Sequence, residues 1–339
     1  MTHEFISILN KGLDWKNQGF DLTIATVVHL QGSSYRRPGV SMLINDSLDY
    51  FGAVSGGCVE KAILQQARAV FSTGSSKLMT YDGRIRLGCE GILTILIEPF
   101  NPDKNLTSRV NLILEKRKSF KLKSSFNLND DASNENAHSV IEIDGARFNL
   151  TTNKYRAVDF ENQFTKEFLP PYRLIIFGTE HDAVSLSETA ENLGWQIELV
   201  YDPKETIEPQ YFSRINKFYP RTFESISSII LDSRSAVVLM SHSYTKDLEA
   251  LVFLSKLSRV PFIGLLGPAK RRSKLIDDLS EMNHELDPDF LDCVFGPIGL
   301  DLGAETAQEI SLSICAQILS YFRLKDSKPL YKTNSSIHA

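Results

Sequence analysis

Apolar positions recur at helical spacing at the start of the chain. Phe5, Ile8, Leu9 and Leu13 fall on one face and predict a helix over 3–18. The rhythm then turns strand-like, with runs at 22–30, 41–45 and 50–54. The turn Ser55-Gly56-Gly57 breaks it and opens a second helix over 58–71, which puts Val59, Ala62, Ile63, Ala67, Val70 and Phe71 on one face. Strands at 77–81 and 92–97 complete a strand-rich first part, closed by Pro99 and Pro102. Residues 127–136 (NLNDDASNEN) are polar and turn-rich, which predicts a loop. Short alternating segments at 139–143 and 146–150 flank it and suggest a small antiparallel excursion.

After Pro170-Pro171 the pattern changes. Strands at 172–178, 195–202, 236–241 and 262–267 alternate with helices at 181–193, 246–257 and 269–279. A last helix over 304–322 carries Ala307, Ile310, Ile314 and Ile318 on one stripe. This alternation implies βαβ units and a parallel sheet. The expected fold is therefore α/β, a mixed α/β N-terminal domain followed by a Rossmann-like parallel-sheet domain. The boundaries expected are an N-terminal domain over 1–105, a connecting segment with small antiparallel strands over 106–170, the Rossmann-like domain over 171–325 and a polar tail over 326–339.

A chain of 339 residues is long enough for two sizeable cores. The net charge of −5 argues against a nucleic-acid binder, which shows a basic excess or stripe. No run approaches the ~18 apolar residues that span a bilayer, and the N-terminus has no signal-peptide core. The cysteines, at 58, 89, 293 and 315, are too scattered for a disulfide framework or a CxxC zinc site. The expectation is a reduced, cytoplasmic protein with no nucleic-acid or membrane partner.

Candidate chemistry gathers at glycine-rich turns. Gly52-Ala53-Val54-Ser55-Gly56-Gly57-Cys58-Val59-Glu60 joins a strand to a helix, where free N–H groups favour an anion and a thiol at the helix start is drawn toward thiolate. A small residue packing a tight turn is the plainer reading of Cys58. Arg36-Arg37-Pro38-Gly39 makes a rigid turn that either presents cations to an anionic ligand or is solvated surface. Cys89, in Gly88-Cys89-Glu90-Gly91, either faces the same cleft as Cys58 or is a buried small residue. In the second half, Gly178-Thr179-Glu180-His181 stands where a dinucleotide fold has its phosphate loop, but Glu180 brings bulk and like charge to the place of a glycine. Asp202 occupies the usual ribose-binding position. Asp301, in the run Gly299-Leu300-Asp301-Leu302-Gly303, either caps the last helix or contacts a ligand. His181 and His242 fall at strand ends without metal-ligand spacing, and Cys315 belongs to a core stripe.

In this order the pieces resemble the XdhC/CoxI family of xanthine and carbon monoxide dehydrogenase maturation factors. The strings GSSYRRPGVSMLI, FGAVSGGCVE and LGCEGILTILIEP carry the resemblance in the first half. LIIFGTEHDA, VVLMSHSYTKDLEAL, PFIGLLGPAKRRSKL and GPIGLDLGAETAQEISLSICAQIL carry it in the second. The chain departs from the family where GCEG replaces GCGG and where Glu180 interrupts G-x-G-H. The resemblance implies a carrier rather than a catalyst, binding molybdenum cofactor in its molybdopterin form, with NAD(P) disfavoured. It would support sulfuration of the cofactor and deliver it to a molybdenum hydroxylase apoenzyme, with a cysteine desulfurase as a further partner and a homo-oligomeric state. The cofactor-binding residues it implies, together with those read from the turns, are Arg36, Arg37, Gly39, Ser55, Gly56, Gly57, Cys58, Glu60 and Cys89, then Gly178, His181, Asp202, Gly299, Asp301 and Gly303. Cys58 is the expected contact to molybdenum. The alternative is an NAD(P)-dependent oxidoreductase using the Rossmann-like domain.

Overall fold

In a computed structural model of the chain, the apolar run after the first helix becomes the centre of a sheet. The structure describes all residues except 35, 56, 86–90, 129–131, 152–159, 205–210, 213–214, 258–259, 285 and 333–339, and only the backbone of Cys58, Ile85, Ala132 and Ser133. The chain divides into two compact units, Met1–Pro170 and Pro171–Ala339.

The first unit opens with α1 (Thr2–Asn17). β1 (Leu22–Gln31), β2 (Ser41–Asn45), β3 (Tyr50–Phe51), β4 (Lys77–Asp82) and β5 (Ile92–Pro99) then form an antiparallel sheet ordered β3-β2-β1-β5-β4. β3 is shorter than its apolar run, because Gly52 turns the chain away from the sheet. The N-terminal part of β1 is buried on both faces, which is why it reads as an unbroken apolar run rather than an alternation. One face is covered by α2 (Cys58–Thr73), whose Val59, Ile63, Ala67 and Val70 pack with Ala25, Val27, Ile95 and Ile97.

The other face packs on α1 and a second layer. α3 (Lys104–Glu115) is capped by Asp103, whose carboxylate accepts the Leu106 N–H at 2.6 Å. β6 (Phe120–Phe126), β7 (His138–Ile143), β8 (Ala146–Asn149) and β9 (Asn162–Phe168) make an antiparallel sheet ordered β8-β7-β6-β9. The stretch expected as a connecting segment thus holds a helix and a four-stranded sheet inside the first unit. Phe120, Leu122, Ile141 and Phe168 share a core with Phe5, Leu9, Ile24 and Leu43.

The second unit has a parallel sheet of β10 (Arg173–Phe177), β11 (Gln196–Tyr201), β12 (Lys217–Pro220), β13 (Ser235–Leu239), β14 (Ile263–Leu265) and β15 (Val294–Phe295). The order β12-β11-β10-β13-β14-β15 is the doubly wound arrangement, with its switch point between β10 and β13. α4 (His181–Asn192) and α9 (Ala307–Arg323) cover one face. α5 (Phe223–Ser227), α6 (Tyr244–Leu254), α7 (Ala269–Met282) and α8 (Pro288–Asp292) cover the other. A mixed α/β first part precedes a Rossmann-like parallel-sheet domain.

Candidate functional site

The strand-to-helix turn before α2 is organised by its own helix. Gly57 is the N-cap residue, at φ +119°, a left-handed conformation suited to glycine. Glu60, one turn into the helix and buried, reaches back to it. Its carboxylate accepts the N–H groups of Val54 at 3.0 Å, Ser55 at 2.7 Å and Gly57 at 2.9 Å, and the Ser55 hydroxyl at 2.8 Å. Burial pushes the Glu60 carboxyl up, yet the Ser55 hydroxyl and the N–H donors outweigh this and hold it below the usual carboxylate range. The sequence leads to the expectation that the free N–H groups of the helix start favour an anion, with Ser55, Gly57 and Glu60 among the cofactor contacts. In the structure the N–H groups of Val54, Ser55 and Gly57, just before the helix, already have an acceptor within the chain, the Glu60 carboxylate. Cys58 is the first residue of α2. Its side chain, and the expected contacts Gly56 and Cys89 with neighbouring Gly88 and Glu90, lie outside the described residues.

The arginine turn is similarly committed. Arg36 Nη1 donates to Glu4 Oε1 of α1 at 2.9 Å, so this cation is already matched by a carboxylate. Arg37 is exposed and has no carboxylate partner among the described residues. Gly39 is buried beneath the side chain of Lys166. Arg36 and Gly39 nevertheless meet Gly52 and Ala53 across a cavity of 330 Å³, whose other walls are α1 (His3, Glu4, Phe5, Ser7 and Ile8) with Val40, Ser41 and Phe51. Two motifs that the sequence leaves apart are thus brought together. The helical residues Glu4 and Ser7 were missed in the sequence, although both stand within one turn of Ile8, at the edge of the apolar stripe.

In the second unit the phosphate-loop position is built for backbone contact. Gly178 has φ +135°, and a Cβ there would stand 2.6 Å from the Met240 carbonyl oxygen. Glycine is therefore required where the ends of β10 and β13 approach, whether or not a ligand binds. Glu180 is the exposed N-cap of α4, and His181 opens that helix, also exposed. Asp202 is held by Lys246 Nζ at 2.8 Å and accepts the Lys204 N–H at 3.0 Å. The Lys246 hydrogen bond, with the Lys204 N–H, keeps its carboxyl below the usual range. Asp202, at the position expected to contact a ribose, thus already has an ion-pair partner in the chain.

Two further carboxylates at this end of the sheet are paired, Asp182 with His242 at 3.5 Å and buried Asp247 with Arg271 at 2.8 Å. Sequence reading had not found the Asp247–Arg271 pair, which joins α6 to α7. The Gly299–Gly303 turn is tied to α9, with the Gly299 N–H donating to Gln317 at 2.6 Å and the Ser313 hydroxyl to the Leu300 carbonyl at 2.6 Å. Asp301 and Gly303 are exposed. Asp301 does not cap α9, because the helix starts later and Thr306 and Glu309 form a reciprocal capping box. Among the described residues no group of three His, Cys, Asp or Glu side chains could hold a metal ion, and no helix is long and apolar enough to cross a membrane.

Comparison with known proteins gives a consistent set. Residues 15–82 match the XdhC and CoxI family, and residues 174–318 match the XdhC Rossmann domain. A probable xanthine dehydrogenase subunit of Bacillus subtilis is 28% identical over 325 residues, covering 88% of this chain and 92% of the relative. The "Molybdenum cofactor insertion chaperone PaoD" of Escherichia coli is 23% identical, covering 94% of this chain and 89% of the relative. A crystal structure described as a xanthine dehydrogenase from Bacillus halodurans superposes with a TM-score of 0.72 at 24% identity, over 98% of this chain and 99% of that one. That last likeness is one of fold.

Proposed function

The chain belongs to the XdhC and CoxI family, and from that premise we propose that it is a maturation factor for a xanthine-dehydrogenase-like molybdenum hydroxylase. Its cargo is molybdenum cofactor in the molybdopterin form. It supports sulfuration of that cargo, with a cysteine desulfurase as sulfur donor, and hands it to the apoenzyme. The relative named for cofactor insertion matches nearly the whole chain, which supports this reading. The observation that carries it is the convergence in the first unit. The arginine turn and the Gly52-Ala53 segment share one cavity, and the same segment runs on through the Glu60-held turn to Cys58.

The cargo combines a phosphate, a fused heterocycle and a thiophilic metal. Arg37 is exposed and suited to the phosphate, now that Arg36 is paired with Glu4. Cys58, at the start of a sixteen-residue helix, has a location that favours thiolate and is the proposed contact to molybdenum or its sulfur. Carriage of this kind needs retention and release, and it needs no general acid–base pair.

The test is expression of the full chain in a host that makes the cofactor, followed by molybdenum and pterin analysis and activation of a molybdenum hydroxylase apoenzyme. Wild type should retain both and activate the client. Cys58→Ala should stay folded and lose both properties, and bound cargo should protect Cys58 from alkylation. Absence of cargo and of activation in the wild type would sink the proposal. The doubly wound sheet with Asp202 at a strand end favours the NAD(P)-dependent oxidoreductase reading. The Asp202–Lys246 pair speaks against it, and micromolar binding of NAD(H) or NADP(H) by calorimetry would restore it.

A further inference from the structure

The cavity beside α1 has a composition that narrows its ligand. At 330 Å³ it lies at the small end of small-molecule sites, a size for a bicyclic ring system and little more. Phe5, Ile8, Val40 and Phe51 give it apolar walls, as a flat heterocycle requires. The carboxylate of Glu4 stands among them, clamped by Arg36 at 2.9 Å. That contact, and one from the Met1 ammonium at 3.3 Å, leave lone pairs on both oxygens, since a carboxylate offers about four acceptor positions. Both side chains of the Glu4–Arg36 pair remain about one-third exposed, so the carboxylate is within reach of a ligand.

A carboxylate fixed at the edge of a flat apolar slot is the complement of two adjacent N–H donors on one ring edge. Pterins present that edge as the ring N3–H beside the 2-amino group, and guanine presents the same pair. Resting on the carrier reading, we propose that this cavity receives the pterin ring of the cargo and that Glu4 reads its amino-pyrimidinone edge. Arg36 acts as a positioning residue, fixing the Glu4 rotamer and holding it ionised. The Glu4–Arg36 pair then has a purpose beyond stability, to which a partly exposed ion pair adds little.

The test uses the full chain freed of cargo and three small probes: pterin, lumazine and guanosine. Lumazine keeps the ring and replaces the 2-amino group with a carbonyl, which a carboxylate repels. Pterin should bind at least about 10-fold more tightly than lumazine, the discrimination expected of a paired donor edge, and more tightly than guanosine. Glu4→Gln, which turns one acceptor oxygen into a donor, should abolish this preference while leaving the melting temperature unchanged. Ser7→Leu, which fills the slot from a helical position, should weaken binding of all three probes.

Equal binding of pterin and lumazine, binding of none of the probes, or an unaltered preference in Glu4→Gln would overturn the assignment. Tighter binding of guanosine would overturn the pterin choice in favour of a nucleotide. Cargo retention in the cofactor-replete host separates the two levels. Retention without a pterin preference defeats this inference and spares the carrier reading; a pterin preference without retention or client activation does the reverse.

Discussion

Glu60 and Glu98 are both buried carboxyls of the first unit, and their surroundings push them in opposite directions. Glu60 serves three N–H groups and a hydroxyl. Its replacement by Ala should cost about 3 kcal/mol, since the turn would keep its donors and lose a charged acceptor. Glu60→Gln should be nearly as harmful, because its NH₂ would face other donors. Its folded value lies below the ordinary one, so its contribution is fully present above the ordinary carboxylate range and is lost as pH falls through the folded value. Chemical denaturation of wild type and variant between pH 3 and 7 should therefore converge at the acid end.

Glu98 accepts one N–H, from Ser139 at 2.8 Å, and its Oε1 has no hydrogen-bond partner among the described residues. Burial, outweighing the Ser139 contacts, pushes it from 4.5 to about 7. Here the sign reverses. The folded state holds the proton more tightly, so stability is present below the ordinary value and falls as pH rises through about 7. Glu98→Gln should gain on wild type by about 3 kcal/mol between the acid and pH 8 ends of a denaturation series. A difference independent of pH would refute the neutral, buried carboxyl.

At the scale of elements, the long helices were readable because each carries one apolar stripe. α1 and α2 start and stop within two residues of the pattern. Other elements went unseen. α3 has buried Leu106, Val110, Ile113 and Leu114 at helical spacing, but these stand among lysines and asparagines in the stretch expected to be a connecting segment. In β6, the sequence FKLKSSF alternates cleanly between buried and more exposed positions. Its two buried or half-buried serines disguised the period, and what makes them tolerable inside is a hydroxyl pair, Ser124 with Ser139 at 2.7 Å, supplied by another strand. β12, α5, α8 and β15 are each five residues or shorter, below the length at which periodicity is informative. Gly178 joins two elements, and its replacement by Ala should cost about 3 kcal/mol through a strained φ and a clash with the Met240 carbonyl. Thermal melting of the variant checks this; an unchanged midpoint would mean that the loop yields without strain.

For the whole molecule, the hydrophobic cores fall cleanly on either side of Pro170-Pro171. Among the described residues, three belong to the first unit and two to the second. Each unit thus buries its own apolar surface, as an independently folding domain must. Residues 171–339 expressed alone should melt cooperatively, and circular dichroism against temperature is the check. A broad, non-cooperative loss of helix signal would show that the second unit depends on the first. The family matches respect the same division, one lying within each unit.

The sequence by itself determined the alternation of the longer strands and helices in the second unit, the two-part α/β plan and the family resemblance, because periodicity and glycine-rich turns are local and survive without a partner. It also marked the turns at Arg36–Gly39, Ser55–Cys58, Gly178 and Gly299–Gly303 as unusual. What it could not determine was the occupant of each turn. Glu60 fills the N–H groups before α2, Glu4 meets Arg36 from a helix thirty-two residues away, Lys246 takes Asp202, and Gln317 ties down Gly299. A free donor and a satisfied one are spelled alike in sequence. Only the tertiary structure decides between them, since the partner that neutralises a charge or accepts a buried N–H arrives by packing, from positions that no local pattern links.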